Sequence, residues 1–209
     1  MKLETVRPEE IERRSFEIIT KELEESGMVP DERYAAVIKR CIHTSADFEY
    51  AKTLAFSQDA VEQMKVLIRE GASIVTDTNM ALAGVNKKKL EAYGGRCICF
   101  MADEEVAKEA KERGITRAAV SMEKAARLEG RVIFAIGNAP TALIRLYEMM
   151  KEGIYTPAFV IGVPVGFVNV VAAKELFLDS EVPYIINRGR KGGSTIAAAI
   201  CNAVLYSMS

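Results

Sequence analysis

Through the first seventy residues, apolar positions recur every three or four places, the period of a helix with one face turned inward. Glu9 to Ser26 carries Ile11, Ile18, Ile19 and Leu23 on that spacing and stops at Gly27. Asp31 is placed to cap a second helix, whose stripe is Tyr34, Val37, Ile38 and Cys41. Ser57 to Glu70 reads as a third, with Val61, Met64 and Ile68 inward and Gly71 as its stop. After Gly71 the rhythm changes. Five short apolar runs appear: Ala72–Thr76, Arg96–Phe100, Val132–Ile136, Ala158–Ile161 and Tyr184–Ile186. Between and after them lie helical segments at Asp103–Arg113, Thr116–Glu129, Thr141–Glu152, Val170–Ser180 and Thr195–Ser207. Continuous apolar strands alternating with helices predict a parallel sheet covered on both faces. Right-handed crossovers make that a three-layer αβα sandwich. The expectation is one α/β domain over residues 1–209 with a five-stranded parallel sheet, residues 1–70 forming a helical part packed on it.

Composition narrows the function classes. A chain of 209 residues buries roughly 70% of its unfolded surface, so it needs no disulfide or structural metal. Lys+Arg 28 against Asp+Glu 29 leaves a net charge of -1, without the basic excess of a dedicated nucleic-acid binder. Its apolar runs are too short and broken to span a bilayer. Met1 to Glu12 is charged and lacks the apolar stretch of a signal peptide. A soluble, cytoplasmic protein is expected. The four cysteines agree: Cys41 and Cys201 stand alone, Cys97 and Cys99 fall on one side of a strand, and no C-x-x-C occurs. With a single histidine no zinc set can be completed, and no metal site is expected.

In open parallel sheets ligands bind beyond the carboxyl ends of the strands. That directs attention to Asp77-Thr78-Asn79, Met101-Ala102, Gly137-Asn138-Ala139-Pro140, Gly162 through Gly166, and Asn187 through Ser194. The last is the richest. Arg188, Arg190 and Lys191 sit among Gly189, Gly192 and Gly193 and lead through Ser194 into a helix, where backbone N–H groups already favour anions. It reads as an anion clamp, and it is not a Walker A loop, having no G-K-[ST]. Backbone donors around Asn138 either hold a carboxylate or phosphate or only make a tight turn. Arg117 stands at a helix start, the wrong end for a cation, which suits either a ligand or plain solvation. Ser15 lies on the expected inner face of the first helix beside Arg14; it is either a small packing residue or half of a carboxylate-binding pair. His43 points away from the stripe of its helix, near the end that interacts favourably with a cation, and is either a surface residue or a general acid–base group. No acidic pair or nucleophile elbow accompanies it. A polyanionic small molecule and at most one proton donor are implied.

These residues form a pattern that resembles the precorrin-8X and cobalt-precorrin-8 methylmutases of cobalamin (vitamin B12) biosynthesis. The resemblance covers nearly the whole chain. It rests on Arg14-Ser15-Phe16-Glu17-Ile18-Ile19, Ile42-His43-Thr44, Asp77-Thr78-Asn79-Met80, Thr116-Arg117, Gly137 through Leu143, Gly162 through Val168 and Arg188 through Ser194, in that order. It implies a flavodoxin-like sheet, a homodimer with active sites near the subunit interface, and an isomerase acting on a tetrapyrrole. The reaction implied is a 1,5-sigmatropic methyl shift from C-11 to C-12, giving hydrogenobyrinate or cobyrinate without redox cofactor or methyl donor. His43 matches the family's acid–base residue. Ser15, Arg14 and Arg117 match its substrate-binding set, and Thr78, Asn138, Arg188, Arg190, Lys191 and Ser194 join them from the strand ends. Two rival readings stay open: a corrinoid carrier without catalysis, and a nucleotide- or sugar-phosphate-binding α/β enzyme.

Overall fold

The computed structural model describes residues 6–208, so the first five residues of the charged N-terminal stretch and Ser209 lie outside it. A 3₁₀ turn at Pro8–Glu10 leads into α1 (Ile11–Glu25), and α2 spans Glu32–Ser45. Asp31 caps α2 as expected, its carboxylate accepting from the Arg33 N–H. A one-turn helix α3 (Tyr50–Thr53) runs into a strand that the sequence pattern did not show, β1 (Leu54–Phe56). Then follow α4 (Ala60–Arg69), β2 (Ser73–Thr76), α5 (Asn79–Gly84), α6 (Lys87–Glu91), β3 (Cys97–Ile98), α7 (Glu104–Arg113) and α8 (Arg117–Ala125). The chain ends with β4 (Val132–Ile136), α9 (Pro140–Lys151), β5 (Phe159–Gly162), α10 (Val170–Glu175), β6 (Tyr184–Asn187) and α11 (Ser194–Tyr206).

The sheet has six strands, ordered β1-β6-β5-β4-β2-β3. Five are parallel, and in their own sequence order they run 2-1-3-4-5, the flavodoxin-like arrangement, with its switch point between β2 and β4. The expected count of five is corrected by β1, which pairs antiparallel with β6, Leu54 opposite Asn187 and Phe56 opposite Ile185. Ser57 secures that edge: its N–H donates to the Tyr184 carbonyl at 3.1 Å, and its hydroxyl accepts from the Tyr184 N–H at 2.9 Å. Because Ser57 belongs to the strand's end, α4 starts at Ala60 rather than at 57.

Side chains alternate across the sheet and build a core on each face. Ile74, Ile133, Ala135, Phe159, Ile161 and Ile185 meet α2, α4 and α11 on one side. Val75, Val132, Phe134, Ile136, Val160 and Ile186 meet α8, α9 and α10 on the other. Helix α2 packs chiefly on α11 rather than on the strands, and α1 packs in turn on α2. The outermost helix is therefore only partly covered. Ile19 and Leu23 are buried, but Ile11 and Ile18 are 53% and 40% exposed, so the inner face expected along the whole of α1 exists only over its second half.

Candidate active site

The carboxyl ends of β2 and β4 flank the switch point, and there the structure places an anion of its own. Asp77 is fully buried, and its carboxylate accepts from the N–H groups of Gly137, Asn138 and Ala139 at 2.8, 2.8 and 2.6 Å. Burial pushes the Asp77 carboxyl up, and the three donors pull it back. The backbone donors around Asn138 do hold a carboxylate, as the sequence allowed, but it belongs to this chain. Beside it the hydroxyls of Thr78 and Ser194 are 2.7 Å apart, while Thr78 also caps α5 through the Ala81 N–H. Gly137 has to be glycine: a Cβ there would lie 2.7 Å from the Ser194 Cα.

His43 is exposed in the last turn of α2, its ring stacked on Phe16 of α1 at 5.3 Å between centroids and 19° between planes. The Arg40 guanidinium lies over the same Phe16 ring at 4.7 Å and over Tyr206 at 5.2 Å, and it is ion-paired with Glu12. Arg40, His43, Met80, Thr195 and Tyr206 line one groove of ≈ 280 Å³, which joins the histidine to the rim at the start of α11. That volume is at or below the low end of the ~300–1,000 Å³ typical of pockets that enclose a drug-sized ligand. A roomier groove of ≈ 790 Å³, lined by Val66, Arg131 and Tyr155, opens at the opposite, amino ends of the strands, where this class of sheet does not place its chemistry. Ser15 is half-buried, and its hydroxyl donates back to the Ile11 carbonyl at 2.9 Å; it adjoins Phe16 and lies one turn before Ile19. Arg14 is half-buried next to it and reaches Glu17 at 3.4 Å.

The cationic loop after β6 is stitched to the loop after β5. The Gly193 N–H donates to the Val163 carbonyl at 2.9 Å and the Gly166 N–H to the Arg190 carbonyl at 3.1 Å. Gly192, at φ 155°, is pressed against the same segment: a Cβ would sit 2.0 Å from the Val163 oxygen. Arg188 and Arg190 are exposed, with the Arg190 guanidinium 5.4 Å from the ring centre of Phe167. Phe167 and Val168 are themselves 80% and 79% exposed, an apolar tip beside the cations. Lys191 behaves differently. Its ammonium donates to Asp47 at 2.6 Å and Glu49 at 2.7 Å, tying the clamp to the loop after His43; the pairing raises the Lys191 pKa and lowers that of Asp47. Arg117 is exposed at the first turn of α8, and Thr116, which caps that helix, hydrogen-bonds Thr141 at 2.8 Å. This brings Arg117 to the carboxyl-end rim, at the start of α9 and on the sheet face opposite His43.

Sequence reasoning did not single out Phe16, Arg40, Asp47 or Lys174 as side chains that shape this rim. Phe16 and Arg40 were legible only as neighbours of Ser15 and His43, because the stack that joins them crosses from α1 to α2. Lys174 sits in a stretch read simply as helix.

Comparison with known proteins agrees with this fold. A family described as precorrin-8X methylmutase matches residues 10–207. The cobalt-precorrin-8 methylmutase of Priestia megaterium is 46% identical over 96% of this chain and 88% of its own. The precorrin-8X methylmutase of Pseudomonas aeruginosa is 41% identical over 93% of each. The solved precorrin-8X methyl mutase of Thermus thermophilus superposes with a TM-score of 0.83 at 38% identity, covering 94% of both chains. A match of that span, on a fold whose rim carries the histidine and cationic loop just described, means that the chain belongs to the precorrin-8X methylmutase family.

Proposed function

We propose that the protein is a cytoplasmic isomerase of cobalamin biosynthesis that moves a methyl group from C-11 to C-12 of precorrin-8X or its cobalt-containing counterpart, with hydrogenobyrinate or cobyrinate as product. One observation carries the reading: His43 shares a groove with the rim at the start of α11, the same rim that bears the exposed cations of the β6–α11 loop. A macrocycle with many acidic side arms suits scattered guanidinium groups on a chain of net charge -1. The protonated imidazole of His43 gives its proton to a ring nitrogen, which withdraws electrons from the conjugated system and eases the [1,5] migration. The proton returns once the methyl group has moved, so nothing is consumed. Ser15, Arg14, Thr78, Asn138, Ser194, Arg117, Arg188 and Arg190 bind the substrate, and Lys191 braces the loop.

A second subunit completes the site. The His43 groove is too small to enclose a tetrapyrrole, and around it Ile11, Ile18, Met80 and Tyr206 are exposed. A homodimer that covers this apolar margin would close the groove over the pigment. The rival reading as a nucleotide-binding enzyme loses its phosphate cradle to Asp77. The test is turnover followed by absorbance with the precursor pigment. We expect wild-type conversion, and a His43→Ala variant that still binds pigment but loses about 10²–10⁴-fold in rate. A variant within tenfold of wild type removes His43 from the acid role. A wild-type protein that binds without converting is a carrier.

A further inference from the structure

Lys174 is the one lysine among the described residues that is fully buried. Its ammonium donates to two main-chain carbonyls at 2.8 Å each, Gly189 and Lys191, and neither acceptor is an acid. Burying an ammonium without a carboxylate is costly, and a methionine of the same length would pack in α10 more cheaply. What a methionine could not do is take both carbonyls of the loop that carries Arg188 and Arg190. The same loop is held from the other side by Asn187, also fully buried, whose amide donates to the Lys191 carbonyl at 2.8 Å and accepts from the Thr53 hydroxyl at 2.6 Å. The Arg188 N–H donates to the Thr53 carbonyl at 2.8 Å. Lys174 therefore fixes both ends of the 189–191 turn from beneath while its flanking arginines stay in solvent.

From this geometry we infer that Lys174 is a positioning residue for substrate binding: it folds the 188–191 loop so that Arg188 and Arg190 are preorganised for the acidic arms of the pigment. The inference rests on the proposed methylmutase reading for its substrate, and on the structure alone for its effect on the loop. Such a residue acts through binding, since its ammonium is engaged by the Gly189 and Lys191 carbonyls beneath the loop, and preorganised cations lose less freedom on capture.

The test compares wild type with Lys174→Met in steady-state turnover of the precursor pigment and in amide hydrogen exchange of residues 188–193. The expected result is a KM raised about tenfold or more with kcat within about threefold, the pattern of lost uniform binding. Faster exchange at Arg188 and Gly193, whose N–H groups are bonded to Thr53 and Val163, should accompany it. A KM unchanged while kcat falls, or exchange unchanged in a folded variant, overturns the inference. Should Lys174→Met fail to fold, Lys174→Gln, which keeps an uncharged NH₂ donor group on a shorter stem, is measured in the same way and should show a smaller rise in KM. If wild type binds no pigment and turns none over, the functional reading fails, while the exchange data still decide whether Lys174 holds the loop.

Discussion

Asp77 puts a charge where many sheets of this kind bind a ligand's phosphate, and three N–H groups answer it. Replacing Asp77 with Asn puts an amide NH₂ against at least one of those donors. We expect a loss of about 1–3 kcal/mol in urea unfolding, the cost of leaving buried hydrogen-bonding groups unmatched; an unchanged midpoint would mean that the cradle does not contribute to stability. The cations divide into two roles. Arg188 and Arg190 are exposed, whereas Lys191 is paired with Asp47 and Glu49. Alanine at both arginines should weaken pigment binding in a titration and flatten its dependence on salt, because screened long-range attraction is what they supply. Lys191→Ala alone should leave the salt slope intact. Lys174 supplies a pH test. Burial lowers its pKa from 10.5 to about 8. Between those values the unfolded chain holds the extra proton, so this group adds stability as pH rises from about 8 to 10.5 and adds no slope below 8. Relative to Lys174→Met, wild type should gain up to about 3 kcal/mol over that window; parallel unfolding midpoints at pH 7.5 and 10 would contradict it.

At the scale of elements, the two rim loops behave as one plate because Gly192 lets the chain pass against Val163. Gly192→Ala forces a Cβ onto a carbonyl at a φ that L residues avoid, so it should separate the plates. Pigment affinity should drop at least tenfold with a small change in thermal midpoint, read by titration and calorimetry on the same sample. Much of this level was legible beforehand. The five parallel strands announce themselves as unbroken apolar runs, since both their faces are covered, and Val132–Ile136 falls where the pattern put it. More was hidden: the short helices α3, α5 and α6 gave no stripe, the expected helix over 116–129 ends at Ala125, and the expected strand over 96–100 shrinks to Cys97–Ile98. Leu54–Phe56 is too short for alternation to register and becomes a strand only by pairing with β6. The expected helix over 170–180 ends at Glu175, because the chain turns back at Leu176 toward β6. The stripe of α1 was correct in period and wrong in extent, for periodicity reports which side faces inward but not how far a neighbour reaches. At the candidate site, His43 and the cationic loop stood out from residue type and position as candidates only, and the structure brings both to one rim. Asp77's partnership with residues sixty positions away did not stand out, nor did the Phe16–Arg40 stack, because both depend on contacts between distant segments.

At the scale of the whole molecule, two cores share one sheet, and Phe134 lies completely buried in the core away from His43. Phe134→Ala should cost about 3–5 kcal/mol in unfolding free energy. In the surviving folded fraction the rate per active site should change little, because the mutation leaves the rim's hydrogen bonds in place. A lost kcat at full folding would show that the far core shapes the chemistry. The borders of the sheet carry a further consequence. One is closed by the three residues of β1 running the opposite way, and the other by the two residues of β3. Strips that brief are poor templates for another chain's backbone. Copies of this protein therefore have little means of zipping together through main-chain ladders, and assembly is left to side-chain surfaces, where it can be specific and reversible. In the dimer proposed above, pairing through side chains alone would let the two copies part and rejoin without seeding fibrils.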